Sequence, residues 1–287
     1  MLIFALLACE GDSLSQAWQI DRLRVLAVKA EPAEPRPGDL VTFDALVLSP
    51  AANLGGSAWF VCSGGASTDF GCEIDPGLLE GVGDGTAEPA DLAAAGFIGF
   101  LPDVPPMWFV PLDYLDGLTE AEQLEGTFAM TYVTAFPELV EGDVLDENDV
   151  EVAYKRVPVS LAPTPNHNPV VNGWRIDGVD IAADAVVQLD PGQAYTIELV
   201  LAEDAVESYT FRTSDDSDES REEEPYFSWY LQEGEFSQSS TLYPYAETVW
   251  LAPEAPTLRD QTLWGVVRDR RGGMGWASLS VSFGGGD

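Results

Sequence analysis

Apolar and polar residues alternate with a period of two along most of this chain, which is the pattern of half-buried β-strands. In residues 40–48, Val41, Phe43, Ala45 and Val47 share one face, with Thr42 and Asp44 on the other. The pattern recurs at 127–134 (Phe128, Met130, Tyr132), 193–201 (Tyr195, Ile197, Leu199, Leu201), 226–232 (Phe227, Trp229, Leu231) and 276–283 (Ala277, Leu279, Val281, Phe283). Further strands are predicted at 18–30, 58–62, 97–101, 150–161, 208–213 and 262–268, the last forming a hairpin with 276–283 across the turn 269–275. One helix is predicted, over 120–124, because Thr119 and Glu122 have the spacing of a capping box. Three prolines in 31–38 exclude a central strand there, and 75–111 reads as a long irregular excursion.

Short strands at fairly regular spacing with almost no helix predict an all-β protein of two tandem immunoglobulin-like antiparallel β-sandwiches. The boundary falls in the proline- and asparagine-rich APTPNHNP, starting at Ala162. The expected divisions are a leader remnant at 1–8, a tether at 9–17, an N-terminal sandwich at 18–161, a linker at 162–168 and a C-terminal sandwich at 169–287.

Composition agrees with a folded, loop-rich chain: 46% apolar residues, 27 Gly and 20 Pro. Thirteen Lys and Arg against 49 Asp and Glu give a net charge of -36, which repels nucleic acid and anionic membrane surfaces. Solubility and divalent-cation binding both account for such a field.

Leu6-Leu7-Ala8-Cys9, closing a short apolar run, resembles the lipobox of bacterial lipoproteins. The resemblance implies that Cys9 becomes an acylated N-terminus, that the protein is exported and that it is anchored to a membrane through lipid. No Lys/Arg region precedes Leu2, which places the expected start of such a leader upstream of Met1. With Cys9 acylated, Cys62 and Cys72 remain as an even pair in an exported protein, and a disulfide between them is expected.

Residues 166–284 resemble an immunoglobulin-like domain of the PKD-like kind. The resemblance rests on Asn-His-Asn-Pro at the entrance, Phe227-Ser228-Trp229-Tyr230 followed by Gly234, and a closing RDRRGG hairpin. The whole chain is similar to lipoproteins of deltaproteobacteria-like bacteria. Such domains serve as spacers, adhesive modules and partner-binding surfaces, so the resemblance implies fold and location but no chemistry.

Candidate chemistry is sparse. His167 is the only histidine and lies in the linker, and there is no GxSxG, P-loop or dinucleotide fingerprint, so no enzyme and no bound cofactor are expected. Asp215, Asp216 and Asp218 stand in an acidic stretch, 214–224, that offers oxygen ligands for Ca2+ but lacks the EF-hand glycine. A solvated acidic loop is the alternative. Tyr226 and Tyr230, on the face opposite Trp229, are candidates for stacking on a glycan or for cross-strand packing. Arg270 and Arg271 either bind a partner's carboxylates or neutralise the acidic stretch. The expected role is a membrane-anchored structural or protein-binding module of the cell envelope, with an envelope protein as partner. The alternative is a calcium-assisted glycan-binding or adhesive module.

Overall fold

Small side chains on the inner side of one strand make room for a tryptophan, and the first sandwich is built around that choice. The computed structural model describes residues 16–50, 54–62, 81, 86–138, 149–182, 184–212 and 217–284. One sheet of the first sandwich has the order β1 (Arg24–Glu31), β2 (Leu40–Leu48), β5 (Met107–Phe109). The other runs β4 (Phe97–Leu101), β3 (Leu54–Cys62), β6 (Thr127–Pro137), β7 (Glu151–Val159). All of these ladders are antiparallel.

Trp59 of β3 is fully buried beside Phe43, Ala129 and Val133, and its indole N–H donates to Ser57 Oγ at 2.9 Å. Large residues on the buried side of β6 would collide with it. The aromatics Phe128 and Tyr132 therefore fall on the outer side of β6. There an edge-to-face row, Phe97–Phe60–Tyr132–Tyr154, crosses all four strands. Among the described residues, the short helices α1 (Pro89–Ala94) and α2 (Glu120–Glu125) connect strands. Helix α2 carries the predicted capping box: Thr119 Oγ1 accepts from the Glu122 N–H, and the Glu122 carboxylate accepts from the Thr119 N–H.

The second sandwich has two five-stranded sheets. One runs β15 (Glu235–Phe236), β17 (Glu247–Leu251), β11 (Ala194–Leu201), β8 (Val171–Ile176), β9 (Val179–Ile181). The other runs β10 (Val186–Leu189), β19 (Met274–Phe283), β18 (Asp260–Arg268), β14 (Tyr226–Leu231), β16 (Ser240–Leu242), with β10 parallel to β19. A separate two-stranded ribbon, β12 (Ser208–Arg212) and β13 (Asp218–Glu222), projects from it. Trp229 is again fully buried, packed on Phe227 and Trp174, and its N–H donates to Thr241 Oγ1 at 3.2 Å. In each sandwich a fully buried indole on a central strand thus has its N–H satisfied, and in the second Trp174 and Trp250 are buried beside it. Truncating Trp59 or Trp229 to alanine costs on the order of 3–5 kcal/mol.

The predicted opening strand at 18–30 is divided between the two sandwiches. Ile20 N–H donates to the Leu231 carbonyl and Leu231 N–H to the Trp18 carbonyl, so this segment is held on the end of β14 in the second sandwich. Trp18 packs against that core. Only from Arg24 does the chain enter the first sandwich. A register shift between Val25 and Ala27 leaves Leu26 as a bulged residue, directed away from its own core. Leu26 meets Trp264 in a separate apolar cluster with Ile20, Leu46, Leu48 and Tyr230. Its carbonyl, released from the ladder, accepts from Arg268 Nη2 at 2.6 Å. The outer face of β1–β2 therefore lies against the outer face of β14–β18, and the two sandwiches are packed side by side.

Candidate functional site

The strongest concentration of buried polar chemistry lies where the two sandwiches meet, around the β18–β19 turn. A carboxylate with glycines three and four residues on favours a turn in which the side chain caps backbone N–H groups. Asp269 does this. Its Oδ1 accepts from the N–H groups of Arg271, Gly272 and Gly273 at 2.7–2.9 Å, and its Oδ2 from Asn166 Nδ2 at 2.8 Å. A Cβ at Gly273 would lie 2.1 Å from Asp269 Oδ2, so only glycine permits the approach. Burial raises the Asp269 pKa, and the hydrogen bonds from Asn166 and the turn work against that rise.

Arg271 extends from this turn to three carboxylates: Glu223 at 3.0 Å, Glu207 at 3.3 Å and Glu34 of the first sandwich at 3.5 Å. Its guanidinium also lies 4.4 Å from the centre of the Tyr209 ring. The Glu223 side chain is 1% exposed, and burial pushes its pKa up to about 6 against hydrogen bonds from the Glu207 N–H and from Arg271. Glu34 accepts from Ser160 Oγ at 2.5 Å and from the Asn166 N–H at 2.7 Å. His167 Nδ1 lies 2.6 Å from Glu207, and Asn168 donates to the Ala30 carbonyl and to Glu31. The linker's Asn-His-Asn is therefore tied to both sandwiches through its side chains, with Asn166 Oδ1 left without a hydrogen-bond partner among the described residues.

From β7, Lys155 donates to the Gly272 carbonyl. The residue is 2% exposed, and burial lowers its pKa to about 8, opposed by the Asp269 charge and reinforced by that of Arg268. An unfolded chain keeps this proton up to pH 10.5, so between pH 8 and 10.5 the unfolded state binds more protons. Stability gains from this group as pH rises through that window, by up to about 3 kcal/mol. Urea unfolding at roughly pH 7.5 and roughly pH 10 checks this: the gain is expected in the wild type and absent from Lys155→Met.

The chain contains only two lysines, Lys29 and Lys155, and both serve this junction. Lys29 Nζ sits 4.9 Å from the centre of the Trp276 ring of β19. Beside it a cleft of about 300 Å³ opens between the sandwiches, with Glu31, Asp44 and Asn168 on its wall.

Arg271 is consumed by internal ion pairs, and Arg270 faces Glu224 at 3.7 Å. Glu223 and Glu224 both belong to the acidic stretch 214–224. Tyr230 lies in the apolar cluster between the sandwiches, and Tyr226 lies 5.5 Å below the Arg268 guanidinium. Asp218 is exposed on β13. Cys9, Cys72, Asp215 and Asp216 lie outside the described residues. Cys62, at the end of β3, is not a free thiol. Among the described residues no group of three or more His, Cys, Asp or Glu could hold a metal ion, and no helix is long and apolar enough to cross a membrane.

Sequence reasoning passed over Lys155, Asp269, Glu34 and Glu207. The usable signal was rarity: in a chain with 13 cations, each one deserves a search for its carboxylate. The pairs themselves join residues more than 40 positions apart, which no local pattern encodes.

No protein-family model and no curated protein matches the sequence. Among solved structures, the chain is similar to the tandem V-type regions of VCBP3, a v-region-containing chitin binding protein, at 12% identity and a TM-score of 0.29, covering 89% of this chain and 98% of that one. It is also similar to murine CEACAM1b (8%, TM-score 0.25, covering 91% and 98%) and to the Ig1-2 module of the Drosophila receptor protein tyrosine phosphatase DLAR (8%, TM-score 0.27, covering 92% and 100%). Two β-sandwiches in tandem, joined by an ionic clasp, define the architecture of this protein.

Proposed function

We propose that this chain is an exported bacterial lipoprotein, held through acyl groups on Cys9 at the outer membrane or cell surface, and that it serves as a structural or protein-binding module of the envelope. It carries out no catalysis and uses no cofactor. The observation that carries the reading is the clasp: its polar groups are spent on joining the sandwiches, which makes a rigid two-sandwich body suited to presenting surface. The segment from Gln16 to Ile20 is fixed at Leu231, which pairs with Leu263, whereas the clasp follows Arg268 at the other end of β18. A lipid anchor on Cys9 would therefore leave the clasp end directed away from the membrane. In this reading Cys62 pairs with Cys72, closing a loop whose constraint is worth up to about 3 kcal/mol.

A second reading, a calcium-assisted glycan-binding or adhesive module, has one observation in its favour. Tyr243 and Tyr245 stand exposed in the turn before β17, free to stack on a sugar.

Mass spectrometry of protein extracted in mild detergent from its own membranes tests both. The expected denatured mass lacks residues 1–8, carries acyl groups and is two hydrogens short for the Cys62–Cys72 bond. The expected native spectrum shows a stoichiometric companion protein. An unmodified Cys9 would overturn the anchor; acylation without a companion, together with a Ca2+-dependent rise in melting temperature, would favour the second reading.

A further inference from the structure

Five large apolar side chains stand exposed at one end of the first sandwich. Leu40 and its β5 partner Phe109 are 55% and 57% exposed, Leu112 is 77%, and Leu124 and Leu161 40% each. Hydrogen bonds tie their segments together. The Gly38 N–H donates to the Val110 carbonyl, the Val110 N–H to that of Asp39, the Ser160 N–H to that of Pro35 and the Leu161 N–H to that of Gln123. Tyr114 Oη donates to the Phe128 carbonyl at 3.3 Å. Apolar groups exposed singly are ordinary, but a concentration at one end marks a contact surface.

The charges around these groups are one-sided. Asp113, Asp116, Glu120, Glu122 and Glu125 are exposed among them. The one cation in 33–40, 109–128 and 160–162 is Arg36, whose guanidinium donates to the Ala162 carbonyl. An apolar centre in an acidic rim complements an apolar face in a basic rim. A second copy, with its own net charge of -36, would be repelled, as would an anionic bilayer.

We propose that this end is the docking surface for a partner protein whose contact face is apolar and rimmed with lysine or arginine. The inference deepens the protein-binding reading and rests on it: the surface lies at the clasp end, where Glu34 meets Arg271, away from the anchored segment.

The test titrates a labelled amphipathic peptide of leucine and lysine against the full chain at physiological salt. Its leucine–glutamate counterpart is expected not to bind. Leu112→Ser combined with Leu124→Ser is expected to weaken the leucine–lysine peptide by about tenfold or more. Val179→Ser combined with Val186→Ser, which removes exposed apolar groups from the second sandwich, is expected to change it by less than about twofold. Melting curves confirm folding, and Leu161→Ser serves as the second probe should the double exchange fail to fold. Equal weakening by both pairs, or by neither, overturns the proposal in favour of attraction to net charge. Two further results overturn it as well: flotation of a Cys9→Ser chain with phosphatidylcholine vesicles that Leu112→Ser abolishes, and a sedimenting dimer that the same exchange dissociates. A native companion retained by the Leu112→Ser, Leu124→Ser protein would remove this surface and leave the lipoprotein reading intact. An unacylated Cys9 with peptide binding preserved would do the reverse.

Discussion

Replacing Arg271 with methionine is expected to destabilise the protein by about 3–5 kcal/mol at neutral pH, because it strands Glu223, a carboxylate already out of water. The guanidinium is 17% exposed and Glu223 only 1%, so solvent cannot substitute for the lost charge. Glu34 and Glu207 would be left beside Glu223 without their common cation. Protonation gives the effect a signature. In the wild type the Glu223 pKa is already raised from 4.5 to about 6, so from this group stability falls as pH rises across that interval. Without Arg271 the folded-state value climbs further, the window widens upward, and the penalty is greatest at neutral pH. Near about pH 5 Glu223 is protonated in the folded variant, and the deficit is expected to shrink there. Urea unfolding at the two pH values checks this, and Glu223→Gln in the Arg271→Met background is expected to restore most of the loss. A deficit below about 1 kcal/mol at neutral pH would mean that the clasp contributes no more than a surface ion pair.

Asp269→Ala is expected to cost a similar amount, about 3–5 kcal/mol, by a different route. Three turn N–H groups and Asn166 Nδ2 lose their acceptor, and the nearly buried Lys155 loses the charge that offsets its burial. Two measurements separate this from general loosening. Amide exchange at Arg271, Gly272 and Gly273 is expected to accelerate well beyond that of the β14 core amides. The Lys155 pKa is expected to fall further below 8, since burial then acts without the opposing Asp269 charge. Unchanged exchange at the turn would show that Asp269 does not hold it.

Much of the fold could be read from residue order. The alternation in 40–48 and 276–283, the buried Trp229 and the Thr119–Glu122 cap depend on neighbours within a few positions, where backbone geometry fixes which residues share a face. The inner side of β6 was harder, because hydrophobicity pointed to Phe128 and Tyr132 while the volume of Trp59 demanded Ala129 and Val133. The linker offered no local sign that Asn166 and Asn168 would be built into both sandwiches.

What the sequence alone determined is the strongly alternating strands, such as 40–48, 226–232 and 276–283, and the hairpin turn at 269–275, all products of short-range periodicity; the short strands such as Met107–Phe109 and Asp218–Glu222 carry no such pattern. Only the tertiary structure decided that the sandwiches lie side by side, because that depends on a bulge turning Leu26 toward Trp264 and on Arg271 reaching Glu34 across 237 residues of chain. Burial in the assembled junction, rather than any neighbour in sequence, is also what moves the proton affinities of Lys155, Glu223 and Asp269.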